Sequence, residues 1–189
     1  MLVESSYSSC LLVAHPLRDK DLGDDFRKSV FIVMRHDAMG AVGLRINQPF
    51  PNGLTLTQVM RNMGLSSNFD HESLYQGGQY GSNRVFVVHT LDWYTAATIK
   101  FPNNLGISSD VSIISAISQG EGPEYFRAVA GFNLWDAGEL EQEVNDTEDI
   151  QSSWICVPSS ADLIFEVEGH QQWKAAIDVA SKIQVAQWF

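Results

Sequence analysis

The sequence predicts a single α+β domain, and three observations support this expectation. The 189 residues lie near the upper end of one ordinary domain, and no linker or internal repeat divides them. Strand patterns occur as neighbouring runs joined by short turns, which is typical of antiparallel hairpins. Short helical patterns stand singly among them, without the regular alternation of a doubly wound sheet. We therefore expect one domain over residues 1–189.

The first quarter of the chain predicts three strands. Residues 9–15, with an apolar run at 10–14, predict a strand that Pro16 ends, because proline lacks the N–H that a β-ladder needs. Residues 29–36 predict a second strand, and the apolar run without alternation at 30–34 favours burial on both faces. After a turn composition at 37–40, residues 41–47 predict a third strand. The second and third strands are expected to form a hairpin.

The middle of the chain predicts two short helices separated by strands. Residues 55–63 have helical spacing, with Thr55 as the N-cap. Residues 84–90 are strongly β-prone, and residues 95–101 are a weaker candidate for a short strand. A second helix is expected to begin at Ser109 or Asp110 and to run through residue 118.

The last third of the chain mixes both patterns. Residues 125–132 fit a helix or a strand equally well, whereas 137–144 predict a charged helix. Residues 153–157 and 163–167 predict short strands. From His170 the apolar residues recur at helical spacing to the end of the chain.

Charge restricts the partners of the chain. It carries 12 Lys and Arg against 23 Asp and Glu, a formal net charge of −11. Nucleic-acid binding depends on neutralising phosphates with basic residues, so direct binding to DNA or RNA is not expected. The same negative field repels anionic membranes. Without a signal-peptide pattern or an apolar run of ~20 residues, we expect a cytoplasmic protein with no membrane contact.

The two cysteines, Cys10 and Cys156, lie far apart in the sequence. They could form one bridge only in an oxidising compartment, so we expect two buried free thiols. Each sits in an apolar run with no cation nearby in sequence, and no Gly-x-Ser-x-Gly elbow is present. These patterns do not indicate a nucleophilic thiol or serine.

Four ordered stretches carry the pattern of a known family. They are 26–30 with His36, 40–44, Asn47 and Pro49; Gly77-Gly78 with Arg84, Phe86 and His89; 109–111; and Gly131 with Trp135, Gly138, Leu140 and Glu141. Trp154, Pro158, Phe165 and Trp173 extend the pattern towards the C-terminus. Over nearly its whole length the chain resembles the AlgH/YqgE-like family of bacterial proteins.

The resemblance implies a strongly bent, mainly antiparallel sheet that forms a barrel-like core with helices packed outside. The family has no settled biochemical function, although its name reflects a proposed role in regulating alginate synthesis. This chain looks like a diverged member. Gln79 stands where the family usually has proline, and Met34 and Arg35 stand where a cysteine and an acid are common. Insertions are apparent near 17–25 and 145–152.

His36 is the first candidate for a functional side chain. It ends the predicted second strand, where Asp37 could orient it, and a histidine held by a carboxylate can act as a general base or proton shuttle. The alternative is a histidine that caps backbone groups beside a glycine-rich turn. We favour the alternative because no nucleophile accompanies His36 in the sequence pattern.

His89 ends the predicted strand 84–90. If the two strands are adjacent, His36 and His89 could converge at one sheet edge, and Asp37 or Asp92 could complete a metal site. No short-range spacing of ligands supports that arrangement. We therefore expect neither a metal nor a cofactor.

Glycines accompany the remaining two candidates. Asn47 follows the glycines of 40–43, a pattern that fits a tight corner held by the Asn47 amide, or alternatively a small ligand pocket. Arg84 follows Gly77-Gly78, a pair that fits a bulge or turn better than an anion-cradling loop, because a strand follows it instead of a helix. The acidic residues between 139 and 149 favour a solvated helix face.

We expect a non-enzymatic protein that binds a protein partner or a small ligand, with a regulatory role. Its groove would be lined by His36, Asn47, Arg84 and His89. One alternative is a hydrolase that uses His36 as the general base. A third possibility, transcription control through direct DNA binding, is disfavoured by the acidic charge. The oligomeric state stays open, with Trp188-Phe189 as a candidate contact to another subunit.

Overall fold

The computed structural model describes residues 6–17, 26–67, 72–145 and 153–186. Both apparent insertions lie largely outside these ranges, and Trp188-Phe189 lies entirely outside them. The strands are β1 (Cys10–Ala14), β2 (Val30–Asp37), β3 (Gly40–Arg45), β4 (Leu74–Gln76), β5 (Tyr80–Thr90), β6 (Ile99–Phe101), β7 (Leu105–Ser108), β8 (Phe126–Trp135) and β9 (Trp154–Pro158). The helices are α1 (Leu56–Asn62), α2 (Val111–Gln119), α3 (Glu139–Asn145) and α4 (Gly169–Ala186).

The strands form one curled sheet in the order β6-β7-β5-β8-β3-β2-β1-β9, and β4 pairs with β8 outside this path. The β4–β8 pair is parallel, and the pairs along the path are antiparallel. The fold is therefore α+β, with a mainly antiparallel half-barrel sheet and helices packed on it, as predicted. No helix in the described part of the chain is long and apolar enough to cross a membrane.

The first half of strand β2, residues 30–33, is buried on both faces, as its continuous apolar run predicts. Val30 and Ile32 pack into a core that α4 covers through Ala176. Phe31 points to the opposite face, where its ring meets Trp135 edge-on at 5.6 Å between ring centroids. Because neither face of this half meets water, its sequence lacks the alternation of a half-exposed strand.

The predicted helix caps are present. The Thr55 hydroxyl accepts a hydrogen bond from the Gln58 N–H, while the Gln58 side chain accepts one from the Thr55 N–H, which makes a capping box at α1. The Asp110 carboxylate accepts the Ser112 N–H at 3.0 Å and caps α2. Each cap satisfies backbone donors that the first helical turn leaves without partners.

The prediction of a strand at 163–167 is wrong, because Asp162–Glu166 form a turn of π-helix. Leu163 and Ile164 are consecutive and both buried, which a half-exposed strand does not allow but a helical turn against the core does. The Gln172 side-chain amide donates to the Leu163 carbonyl at 2.7 Å. Strands β4 and β7 were not predicted, because segments of three and four residues carry too little pattern.

The ambiguous segment 125–132 belongs to β8, the strand at the centre of the sheet. Along one edge of β8, β4 pairs with residues 128–130 and β3 pairs with residues 133–135. Gly77 lies at the junction, where its N–H donates to the Ala130 carbonyl and its carbonyl accepts the Arg45 N–H, each at 2.7 Å. A Cβ atom on Gly77 would lie 2.1 Å from the Gly131 carbonyl oxygen. The two backbones can approach this closely only with glycine.

A buried arginine joins β8 to the segment that leads into α4. Arg127 is 4% exposed, and its Nη1 donates to the Ile46 carbonyl and to the Gln172 side-chain oxygen, each at 2.8 Å. Its Nη2 donates to the Val167 carbonyl at 3.2 Å, and the guanidinium lies 4.6 Å above the Tyr75 ring. The fork geometry of arginine lets one side chain satisfy three acceptors from separate segments.

The Gly77 contact predicts a strong steric effect. Gly77→Ala should lower the free energy of unfolding by about 3 kcal/mol or more, because backbone atoms cannot move aside as a flexible side chain can. Gly138 is the matched control, since its φ is +81° and nothing lies within 4 Å of an added Cβ. Gly138→Ala should cost about 1 kcal/mol of backbone strain alone. Equal losses in urea unfolding would contradict the steric explanation.

The Arg127 contacts predict that a positive charge without the forked donors of the guanidinium does not restore full stability. Arg127→Met should lower the free energy of unfolding by about 3 kcal/mol or more, because three buried acceptors lose their donor. Arg127→Lys should fall between the wild type and the Met variant. Arg61→Met, at an exposed position in α1, should change it by less than about 0.5 kcal/mol. Thermal and urea unfolding measure all three, and a fully stable Arg127→Met would contradict the proposed anchoring.

Candidate functional site

His36 lies near the end of β2 with only 4% of its side chain exposed. Its Nδ1 accepts the Tyr7 backbone N–H at 3.2 Å, and the two rings lie 5.2 Å apart. Its Nε2 lies 3.0 Å from Glu141 Oε1. This contact does not meet the geometry of a hydrogen bond, and neither Nε2 nor the buried Glu141 Oε2 has a hydrogen-bond partner among the described residues. The ring is therefore enclosed between the N-terminal segment and α3.

These contacts assign the tautomer of His36. An amide N–H can only donate, so Nδ1 carries the lone pair and the proton of the neutral ring is on Nε2. The Ser8 hydroxyl accepts the His36 backbone N–H at 2.9 Å and does not contact the ring. A general base needs a free lone pair directed at a substrate. Nδ1 already uses its lone pair, and Nε2 faces a carboxylate.

The carboxylate beside His36 differs from the one expected. Asp37 pairs with Arg35, with 3.3 Å between Oδ2 and Nε, and its Oδ1 accepts the Met39 N–H at 2.8 Å. Glu141 from α3 faces the ring instead. Sequence proximity favours Asp37, but Asp37 and His36 are consecutive in a strand and their side chains point to opposite faces.

The acidic helix α3 is not simply a solvated face. The Glu143 carboxylate accepts the indole N–H of Trp135 at 2.8 Å and that of Trp154 at 2.6 Å. Buried tryptophans need an acceptor for this N–H. In the sequence, that need was the signal from which a structural role for Glu143 could have been predicted. Of the acidic run, residues 146–149 lie outside the described ranges.

Asn47 holds loop backbone inside the fold. It is 5% exposed, its Oδ1 accepts the Val30 N–H at 2.9 Å, and its Nδ2 donates to the carbonyls of Lys28 at 2.8 Å and Gly169 at 3.1 Å. The amide therefore joins the entry to β2 with the start of α4. These contacts are structural bonds from the side-chain amide to loop backbone, and they join segments other than the glycine-rich turn at 40–43.

His89 belongs to a buried chain of hydrogen bonds. Its Nδ1 lies 2.8 Å from the Thr90 carbonyl, which can only accept, so Nδ1 donates and Nε2 accepts the Ser108 hydroxyl at 3.0 Å. Ser108 then accepts from the Thr98 hydroxyl at 2.8 Å, and Thr98 accepts the Thr95 N–H at 3.0 Å. Desolvation by burial lowers the pKa of His89. The ring is neutral and inaccessible, with 0% exposure.

The two histidines do not converge. His36 is in register with Ala41, which pairs with Trp135 at one end of β8, whereas His89 pairs with Phe126 at the other end. Nine residues of strand separate these positions, which is roughly 30 Å. Within the described ranges no group of three or more His, Cys, Asp or Glu side chains is arranged to hold a metal ion.

Arg84 lies apart from the other three candidates, on the exposed first half of β5. It lines a groove of about 500 Å³ between α1, β5 and the start of α2. Val59, Met63, Val111 and Ile114 form the apolar side of this groove, and Asn83, Ser109 and Asp110 are its other polar residues. Across the described part of the chain, no carboxylate makes an ion pair with Arg84.

The cysteines were predicted to be free and buried. Both are free, but each is half-buried. They lie on neighbouring strands, because β1 pairs with β9 at the edge of the sheet. Cys10 is the first residue of β1, and Cys156 lies on the edge strand β9. An apolar sequence run predicts a strand but does not show which of its residues lie at a strand end or at the edge of the sheet.

Comparisons with known proteins match this architecture. The model of the AlgH-like family matches residues 11–182. A UPF0301 protein of Methylococcus capsulatus is 32% identical over 171 residues, which cover 90% of this chain and 89% of the relative. A UPF0301 protein of Stenotrophomonas maltophilia is 31% identical over 186 residues, which cover 96% and 91%.

Two solved structures share the fold. The solution structure of the AlgH protein from Pseudomonas aeruginosa matches with a TM-score of 0.74 and 26% identity, covering 95% of this chain and 91% of that chain. A crystal structure of a protein from Corynebacterium diphtheriae matches with a TM-score of 0.67 and 18% identity, covering 89% and 84%, and supports the fold alone. With its family pattern matched over residues 11–182, the chain belongs to the AlgH-like family.

Proposed function

We propose that the protein is a non-catalytic binding protein whose ligand occupies the groove beside Arg84. The ligand carries an anionic group for the guanidinium and an apolar group for Val59 and Met63. The observation that carries the proposal is the exposed Arg84 side chain without an ion-pair partner among the described residues. In a chain of net charge −11, such a cation at a groove selects an anionic group of limited size over an extended anionic surface.

The shape and polarity of the groove support this ligand class. A volume of about 500 Å³ lies in the range of small-molecule sites, which combine apolar walls with a few polar groups. Asp110 is already occupied, because its Oδ1 caps α2 and its Oδ2 accepts the Thr95 hydroxyl at 3.3 Å. Arg84 is therefore the charged group available to a ligand. A regulatory role follows if ligand binding alters contacts with a partner protein.

Catalysis by His36 has less support. The tautomer assigned by the Tyr7 N–H leaves the ring without an available base, and Glu141 covers its other nitrogen. The Ser108 hydroxyl lies 3.0 Å from His89 Nε2, as a nucleophile lies beside its general base. Both residues, however, are at most 1% exposed. A nucleophile that no substrate can reach does not support a hydrolase.

Binding at the groove is tested by protein-observed NMR with a panel of small carboxylates that bear alkyl or aromatic groups. We expect the amide signals of 83–86 and 109–114 to shift together for at least one member. Arg84→Gln should weaken its binding about tenfold or more, because a charge-assisted hydrogen bond contributes about 1.5–3 kcal/mol. Binding should also weaken with added salt.

Arg35→Gln is the matched control for charge, because Arg35 is also exposed, at 60%, and ion-pairs with Asp37. It should leave the affinity unchanged. The proposal fails if no carboxylate shifts these amides, or if Arg84→Gln and Arg35→Gln weaken binding equally. Equal weakening would indicate a response to net charge and not a site.

A structural role for His36 predicts a graded loss of stability. His36→Leu should lower the free energy of unfolding by about 2–3 kcal/mol, because the Tyr7 N–H loses its buried acceptor. His36→Asn can keep an acceptor near the position of Nδ1 and should cost less. Both variants should bind the groove ligand as the wild type does. Denaturant unfolding measures the loss of stability. A His36→Leu variant that is as stable as the wild type but loses a hydrolytic activity would contradict the structural role of His36.

A further inference from the structure

Strand β5 has an open edge beside the Arg84 groove. Residues 87–90 of β5 pair with β7 on one side and with β8 on the other. Residues 85–86 pair with β8 and, in the described part of the chain, with no other strand. The register of β7 would place Asp110 opposite residue 85, but the chain turns away there and α2 begins at Val111. The β7 side of this stretch is therefore without a neighbouring strand.

The hydrogen-bonding groups of Val85 point towards the open side. Val85 is in register with Ala130, whose carbonyl accepts the Gly77 N–H on the opposite edge of β8. In an antiparallel ladder the N–H and C=O groups of two paired residues point either towards each other or both away. Those of Val85 therefore point away from β8. Within the described ranges no hydrogen bond reaches either group.

The groove of about 500 Å³ runs along this edge. Its lining includes residues 83–86 of β5 and residues 109–111, where the chain passes from β7 to α2. The apolar side of the groove is accessible, because Val111 is 64% exposed and Met63 is 43% exposed. An unpaired strand edge beside accessible apolar side chains is the arrangement that binds an extended peptide by strand addition.

We propose that the ligand of the groove is an extended segment of a partner protein, which adds to β5 as a short antiparallel strand in line with β7. This inference rests on the proposed function and narrows the ligand to a peptide. The carbonyl of the peptide residue opposite Val85 accepts the Val85 N–H, and its N–H donates to the Val85 carbonyl. A small carboxylate cannot form this pair of bonds.

The two faces of β5 define the residues that the peptide needs. Val85 packs with Val59 in the cluster beneath α1 and α2, whereas Phe86 packs in the core that α4 covers. Paired residues share a face, so the peptide residue opposite Val85 is apolar. The next residue towards the peptide C-terminus lies opposite Arg84 and is acidic, because an opposite charge there stabilises the pair. The expected motif is an apolar residue followed directly by Asp or Glu.

The test titrates the full-length protein with a pentapeptide blocked at both ends, in NMR. Valine is at its centre and glutamate follows, so the glutamate is its only charge. Methylation of the valine backbone nitrogen should weaken binding about tenfold or more, because the Val85 carbonyl loses its donor and the methyl group separates the strands. The peptide methylated on the glutamate nitrogen is the matched control. That N–H points away from β5 in the paired strand, so its affinity should equal that of the unmodified peptide.

Hydrogen exchange of the Val85 amide gives a second readout that needs no altered peptide. The bound peptide should slow this exchange about tenfold or more, because the N–H gains a carbonyl acceptor. Saturation with a small carboxylate should leave the exchange rate unchanged. Arg84→Gln should weaken peptide binding by about the same factor as carboxylate binding.

The outcomes separate this inference from the proposed function. Equal affinities of the two methylated peptides, or unchanged exchange at Val85, would overturn strand addition, and carboxylate binding that still requires Arg84 would leave the proposed function intact. A peptide that slows exchange at Val85 but binds equally well to Arg84→Gln would overturn the acidic motif together with the proposed function. No binding of either the peptide or the carboxylates overturns both.

Discussion

The approach of two backbones beside Gly77 and Gly131 is the constraint on which the rest of the sheet depends. One edge of β8 serves two partners in succession, β4 and then β3. The chain can change partner there only because no Cβ atom separates the strands. The first half of β8 thereby joins the strands that carry the Arg84 groove, and its second half joins the aromatic core beneath α3. The curl of the sheet at this point sets the position of the first half of β8 and its partner strands relative to the second half.

Polar side chains then fasten the bent sheet from within. Arg127 and Asn47 both reach the segment around the start of α4, and Glu143 holds two tryptophans at once. Each would be costly to bury without its partners. The same residue types are those that an enzyme would use for binding and proton transfer. In this chain most of them stabilise the fold, whereas Arg84 faces solvent and has no such structural role.

The sequence predicted local features well where one short segment contained the signal. The caps at Thr55 and Asp110 and the double burial of residues 30–33 in β2 depend on near neighbours, and they are confirmed. The pairing of His36 with Glu141 joins residues more than one hundred positions apart, so no local pattern reveals it. The choice between helix and strand at β8 likewise depends on partners on both edges. The separation of His36 and His89 depends on strand order, which hairpin patterns do not determine.

The hydrogen-bond chain that ends at His89 has a direction, and this has a consequence for protonation. Each hydroxyl in it has one proton to give and two lone pairs that can accept. A proton added to His89 Nε2 would make the ring a donor to Ser108, and one hydroxyl proton would then have no acceptor within the chain. The balance of donors and acceptors along the chain thus opposes a positive charge on the imidazole. The protonation of the ring is therefore coupled to the orientation of two hydroxyl groups.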